Sequence, residues 1–332
     1  MKAVVAPVPG GPDALRMVDL PIPEPGPGEV RLRVHATAVN RADILQREGR
    51  YPVPPGTSEV LGLEAAGRLD AIGPDVTGWE PGDRAMALLA GGGYAEYVVV
   101  PHGQLLRIPD RLDWILAAAV PEAFLTAWQA LGRPSPTPPE SWVLVHAGAS
   151  GVGTAALQIA RELGARTIAT TRSPDKATAI VRDADHVITA GSGSFSEDVD
   201  RITDGHGADV IVDLVGARYW ADNVRSAATD GRIALIGLVG GTRTEIDLSE
   251  LLAKRLTVVA STLRARSIAQ KADIVASFGA WAADRLADGR LRPRIHDMFP
   301  LTRVADAHRL VESNATVGKV VLAVSADGVV DR

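Results

Sequence analysis

A chain of 332 residues with 46% hydrophobic and 23% charged side chains, 33 Gly and 22 Pro, has the composition of a turn-rich globular protein and the length for two domains of roughly 100–200 residues each. It contains no cysteine, which excludes disulfides, iron–sulfur clusters, thiolate nucleophiles and cysteine-ligated zinc. A formal net charge of −5, without a long basic run, gives little electrostatic basis for binding nucleic acid or a membrane surface, so the expected partner is a small molecule.

In chain order, Met1 to Val5 enter a strand pattern at once, with no secretory apolar region, and a cytoplasmic location is expected. From Glu29 to Val39 the sequence EVRLRVHATAV alternates, placing Val30, Leu32, Val34, Ala36 and Ala38 on one face of a strand. Ala85 to Leu89 and Val98 to Val100 are further short strands bounded by Gly and Pro, so the region from Met1 to about Pro109 reads as a β-rich domain. The run from Arg133 to Pro139 is a stiff connection, because its prolines supply no N–H groups to helix or sheet.

Beyond that run the rhythm changes. Strand patterns at Trp142–His146, Thr167–Thr171, His186–Thr189, Asp209–Leu214, Arg232–Leu238 and Thr257–Ser261 alternate with helical ones, the mark of a doubly wound parallel sheet in an α/β fold. The longest apolar stretches, such as Asp209 to Val215, meet a charge within a few residues, far short of the ~20 residues that span a bilayer. After a long helical stretch, Ser267–Asp288, Leu291-Arg292-Pro293 breaks the pattern, and Lys319–Val324 resumes as a strand that returns to the first domain. The expected division is 1–121 with 290–332 for the first domain and 122–289 for the second.

The second domain opens on VLVHAGASGVGTAALQIARELG, Val143 to Gly164. Its turn, Gly148-Ala149-Ser150-Gly151-Val152-Gly153, is a GxGxxG in which Ser150 stands at the middle glycine. Set after a strand and before a helix, it predicts a Rossmann site whose N–H groups face a pyrophosphate. Ser150 narrows the approach, yet its hydroxyl can donate to the ligand. The next strand ends in Thr170, Thr171, Arg172 and Ser173, with Lys176 following. A carboxylate there would accept from a ribose 2′-OH; Thr171, Arg172, Ser173 and Lys176 instead suit a 2′-phosphate, so the expected cofactor is NADPH.

Several segments together resemble the medium-chain dehydrogenase/reductase superfamily in its zinc-free, zeta-crystallin-like quinone oxidoreductase branch: Asn40-Arg41-Ala42-Asp43, Gly62 to Gly67, Pro81 to Leu88, Pro121-Glu122-Ala123, His146 to Gly153 and Gly318 to Leu322. Gln46–Pro55 and Leu88–Tyr97 look nearest to the tumour-suppressor-induced quinone oxidoreductases. The resemblance implies a GroES-like β-rich domain beside the Rossmann domain, with the active site in the cleft between them. It places Asn40 and Tyr51 at substrate and nicotinamide, and Thr126 in a helix near the nicotinamide. Zinc-dependent members carry a Cys near Asn40 and a His at the position of Leu63; neither is present, and no metal site is expected. Relatives with NADPH often carry Asn-Tyr after the third strand, where this chain has Thr189-Ala190.

Tyr51 is expected to donate a hydrogen bond or proton to a reduced oxygen, and Asn40 to orient a carbonyl or ribose, or else to cap a turn. Glu64 is expected to pair with an Arg, and His146 to pack or cap rather than move protons. Gly91-Gly92-Gly93 is either a plain hairpin turn or a hinge that swings Tyr94. LTVVASTL, Leu256 to Leu263, reads as an exposed edge strand through which relatives pair about a two-fold axis, so a homodimer is expected. The implied activity is NADPH-dependent quinone reduction. Alternatives are reduction of an activated C=C bond, as in 2-alkenals or enoyl thioesters, and non-catalytic NADPH binding, crystallin-like or with RNA.

Overall fold

The computed structural model describes residues 1–133, 136–191 and 194–325. Pro134 and Ser135, within the proline-rich run, and the tail of the 290–332 segment lie outside the described residues. The chain divides into two compact units, Met1–Leu125 with the segment from Leu263 onward, and Thr126–Thr262.

The first unit is built on a seven-stranded sheet, in the order Ile295–Pro300, Lys319–Ala323, Glu29–Val39, Glu64–Ile72, Arg84–Leu88 and Leu105–Arg107, with Tyr97–Pro101 pairing off the path onto Glu29–Val39. The long central strand alternates as expected through Val34. From His35 onward both faces are buried, because further elements cover the side that faces solvent earlier in the strand. Lys319–Ala323 pairs antiparallel to it, Val320 opposite Val39 and Ala323 opposite Ala36, so the returning strand sits beside the centre of the sheet. The register with Glu64–Ile72 shifts near Val34, where Gly67 is required: a β-carbon there would stand 2.0 Å from the Arg33 carbonyl oxygen.

The helix Ile268–Asp288 is closed at its start by Ser267, which accepts from the Gln270 N–H at 3.2 Å while the Gln270 side chain accepts from Ser267 N–H at 3.1 Å. It stops at Gly289, φ 86°. Its buried face holds Ile274, Val275, Phe278, Ala282 and Leu286, with Phe278 6.3 Å from Phe124. These contacts count the helix with the first unit, whereas a boundary at residue 289 would count it with the second. Helical periodicity shows that a face is buried, not which unit buries it.

The second unit is one parallel sheet of six strands: His186–Thr189, Arg166–Thr171, Trp142–Val145, Ala208–Asp213, Ala227–Leu235 and Thr257–Ala260. In chain order that is 3-2-1-4-5-6, the doubly wound dinucleotide-binding order, whose switch point lies between the first and fourth strands. Leu144, Ile168, Ile188, Ile211 and Ile233 form its core, with Phe195, Tyr219 and Trp220. The edge strand Thr257–Ala260 is exposed at all four positions, Val258 at 42% and Val259 at 37%. Among the described residues no helix is long and apolar enough to cross a membrane.

Candidate active site

In the second unit the first strand leads through Ala147, at φ 48°, into the glycine turn. Ser150 caps the helix Gly151–Glu162, its Oγ accepting from the Gly153 N–H at 3.0 Å. That leaves the hydroxyl proton available to a ligand. The N–H groups of Gly151 and Val152, in the first turn, have no intrahelical acceptor. Two glycines are sterically fixed. A β-carbon on Gly153 would lie 2.3 Å from the Ala147 carbonyl oxygen, and one on Gly148 would lie 2.8 Å from the Ala169 β-carbon. The turn is therefore a tight cradle of backbone donors of the kind that admits a diphosphate.

The second strand ends beside this turn, Gly148 N–H donating to the Thr170 carbonyl at 2.9 Å. Thr171 is buried and its hydroxyl donates to the Ser173 carbonyl at 3.1 Å. Ser173 is the N-cap residue of the helix Pro174–Ile180; Arg172 is exposed and Lys176 half-buried. Burial pushes the Tyr219 phenol up, and the charges of Arg172 and Arg218 act to pull it down. Arg218 escaped the sequence reading, having only its place after the Gly216 turn as a signal. Thr189-Ala190 is bound in: Ala190 N–H donates to the Thr171 carbonyl at 2.7 Å, and the Tyr219 hydroxyl reaches the Ala190 carbonyl at 3.4 Å.

His146 is fully buried, 2.6 Å from Asn223 Oδ1 and 2.9 Å from Thr170 Oγ1. Burial holds its ring below the usual imidazole range, hence neutral. Asn223 Oδ1 only accepts, so Nε2 carries the proton and Nδ1 accepts from Thr170. Asn223 in turn donates to Asp213 at 3.0 Å, and Asp213 accepts from Val215 and Gly216 N–H at 2.7 and 2.9 Å. This chain ties together the ends of three strands around the glycine turn. Thr126, the first residue of the second unit, is buried in the helix Pro121–Leu131.

In the first unit, Asn40 opens the helix Arg41–Arg47, its N–H donating to Asp43 Oδ2 at 2.8 Å. Its amide is held elsewhere: Nδ2 donates to Glu64 at 2.9 Å, and Oδ1 accepts from Lys319 at 2.5 Å. Lys319 also donates to Glu64 at 2.7 Å, with both side chains buried, and the second Glu64 oxygen accepts from the Glu122 N–H at 2.9 Å. The expectation that Glu64 pairs with an Arg is thus corrected. Its partner is a lysine 255 residues away, delivered by the returning strand, and sequence proximity gives no sign of it.

Around this pair the acids are displaced from their ordinary values. Burial pushes Asp43 up to about 6, against hydrogen bonds from Asn40 and Gly62 and the charge of Lys319. Burial and the neighbouring Glu64 push Glu122 up to about 8. Tyr51 is half-buried, and burial together with Glu122 raises its phenol, so it stays protonated. Arg264 stands over its ring, Cζ 5.3 Å from the centroid. Asp43, Glu122 and Lys319 stand in the sequence only within segments that resemble the family, and Arg264 carries no signal there.

Tyr94 does not swing. It is fully buried, its hydroxyl 3.1 Å from His308 Nε2, and Gly93 is packed against Gly62 and Glu64 so closely that a β-carbon would meet the Glu64 carbonyl at 2.5 Å. Gly91-Gly92-Gly93 is therefore a packed turn. His308 is held neutral, at about 3, by burial and by Arg47, whose Nη1 lies 3.3 Å from His308 Nδ1. Among the described residues no group of three or more His, Cys, Asp or Glu side chains is arranged to hold a metal ion.

Comparison with known proteins agrees with both units. Residues 26–110 match the alcohol dehydrogenase GroES-like domain and residues 151–283 the zinc-binding dehydrogenase family. The quinone oxidoreductase of Pseudomonas aeruginosa is 34% identical over 94% of this chain and 96% of its own length. A solved NAD-dependent alcohol dehydrogenase superposes with a TM-score of 0.86 at 35% identity, over 98% of this chain and all (100%) of that one. Escherichia coli quinone oxidoreductase complexed with NADPH superposes with a TM-score of 0.87 at 27% identity, over 98% and 100%. With a GroES-like β-rich unit, a Rossmann unit and relatives of this similarity along nearly its whole length, the chain belongs to the medium-chain dehydrogenase/reductase superfamily of oxidoreductases, and quinone oxidoreductases are among its homologues.

Proposed function

We propose that the protein is an NADPH-dependent quinone reductase that works without zinc. The observation that carries this reading is a phenol, Tyr51, kept protonated by burial and set beside the buried guanidinium of Arg264: a site made to hold and protonate an oxygen. Bound NADPH supplies the hydride. The Gly151, Val152 and Gly153 turn holds the diphosphate, with Ser150 donating its hydroxyl proton and Gly148 keeping the turn close to the second strand. Arg172, Ser173 and Lys176 take the 2′-phosphate beside Thr171, and Thr126 contacts the cofactor. Asn40, fixed by Glu64 and Lys319, turns the remaining lone pair of Oδ1 to the ligand. Most of the acceleration is positioning, since a quinone is already electrophilic. Tyr51 gives its proton to the reduced oxygen, and hydride plus proton yields the hydroquinone.

Reduction of an activated C=C bond is the second reading, favoured by one observation: Glu122, which acts electrostatically on Tyr51, retains a proton near neutral pH and is a second acid in the same cluster. A cytoplasmic homodimer joined through the edge strand in Leu256–Leu263 belongs to the same proposal.

Tryptophan fluorescence titration with NADPH and NADH in parallel tests the cofactor. NADPH is expected to bind at least tenfold more tightly, and Arg172→Ala to remove most of that difference while leaving NADH affinity in place. Equal affinities in the wild type would sink the phosphate site. Turnover of a 1,4-quinone and a 2-alkenal, with Tyr51→Phe alongside, separates the two reactions: alkenal turnover exceeding quinone turnover and collapsing in the variant would favour the second.

A further inference from the structure

Arg264 is 3% exposed. Its Nε donates to the Ala90 carbonyl at 2.8 Å, and its face lies over Tyr51. Its two terminal nitrogens, Nη1 and Nη2, are buried and have no hydrogen-bond partner. Four donor hydrogens of a fixed charge, out of water and without an acceptor, are rare in folded proteins, because the desolvation of the ion is then uncompensated.

The orphan is not explained by a shortage of carboxylates. Asp43 and Glu122 act on it electrostatically and Glu64 acts on both of them, yet none of the three gives its terminal nitrogens a hydrogen bond. Glu64 is held by Lys319, Asn40 and the Glu122 N–H. Asp43 accepts from Asn40 N–H on one oxygen and from Gly62 N–H, at 3.1 Å, on the other. Glu122 keeps its proton near neutral pH, pushed up to about 8 by burial and Glu64. Lys271, also buried, is disfavoured as an ammonium by burial and by the charge of Arg264, with Glu122 opposing. Asp43, the acid that acts most strongly on Arg264, is committed to the Asn40 and Gly62 N–H groups and gives its terminal nitrogens no hydrogen bond.

The geometry selects what would satisfy the two terminal nitrogens. With Nε committed to Ala90, the uncommitted side of the guanidinium is its Nη1/Nη2 end, two parallel N–H donors in one plane. A carboxylate presents two coplanar oxygens and a single negative charge to such a fork. We propose that Arg264 binds a carboxylate of the acceptor, against the Tyr51 ring, so that the preferred substrates carry an acid group beside the part that is reduced. This names the substrate class of the reductase proposed above and rests on that reading for turnover, though not for binding.

The test has two arms. Benzoate, which cannot be reduced, is titrated calorimetrically into the wild type, with inorganic phosphate as a parallel ligand. Binding of benzoate, at least tenfold weaker in Arg264→Met and partly restored in Arg264→Lys, is expected. Phosphate binding as tightly as benzoate, or benzoate binding unaffected by both substitutions, would overturn the carboxylate assignment. In the second arm 1,4-benzoquinone and its 2-carboxylate are compared as acceptors with NADPH. The wild-type kcat/KM is expected to favour the acid by at least tenfold, and the ratio to fall to about one in Arg264→Met. Should that variant fail to fold, the wild-type ratio and benzoate affinity decide alone. If both quinones are reduced alike and benzoate does not bind, the inference fails while quinone reduction stands. If benzoate binds through Arg264 and neither quinone is reduced, the anion site stands and the quinone reading falls.

Discussion

Lys319 holds together groups that would otherwise be uncompensated. Its ammonium serves Glu64 and Asn40 at once, at 2.7 and 2.5 Å, in a place from which water is excluded. A buried ion pair adds little net stability over apolar side chains of similar shape, whereas leaving one member unpaired costs about 3–5 kcal/mol. Lys319→Met is therefore expected to lower unfolding free energy by about 3–5 kcal/mol in a urea titration, and to leave Asn40 Oδ1 without its donor. Adding Glu64→Leu should recover most of the loss; failure to recover would mean that Lys319 acts through packing of its stem. Asn40 stands out in the sequence, but its partnership with Lys319 does not. Local spacing cannot report a bond between residues 64 and 319, nor the burial that leaves Arg264 without acceptors.

At the scale of elements, period-two and period-3.6 patterns are local, and for that reason the six Rossmann strands, the strand Glu29–Val39 and the returning strand Lys319–Ala323 were all legible. The ownership of the helix Ile268–Asp288 was not, since it is decided by packing such as Phe278 on Phe124. The strand Thr257–Ala260 pairs with Ala227–Leu235 through one edge, and its opposite edge carries unsatisfied backbone groups between exposed valines. A second copy would cover them. Val259→Lys, on that strand, is expected to shift the mass measured by light scattering at micromolar concentration from dimer to monomer, with the melting temperature falling as concentration is lowered in the wild type only. A wild type that is monomeric at that concentration would remove this role from the strand.

For the molecule as a whole, displaced titrations make stability depend on pH in both directions. Glu122 loses its proton near 4.5 when unfolded and near 8 when folded. Between those values the folded state binds more protons, so its contribution declines as pH rises through that window. Asp43 acts likewise between 3.8 and about 6. His308 is opposite in sign: it takes a proton near 6.5 when unfolded but only near 3 when folded, so stability declines as pH falls through that range. Glu122→Gln is therefore expected to flatten the decline between pH 5 and 8 in urea midpoints, and to stabilise the protein at pH 8. An unchanged slope would show that Glu122 is ionised in the fold.

The contact between Glu64 and Lys319 also governs when the first unit can finish. Synthesis at roughly 5–20 residues per second separates the two residues by about 10–50 seconds, since 255 positions lie between them. During that interval the whole of Thr126–Thr262 has left the ribosome, with every strand of its sheet in hand. The inserted unit is thus free to fold early, while its host waits, sheet unclosed and Glu64 still hydrated, for an ammonium supplied 255 residues later. Nascent chains arrested before residue 319 should display a protected Rossmann unit attached to a protease-sensitive host.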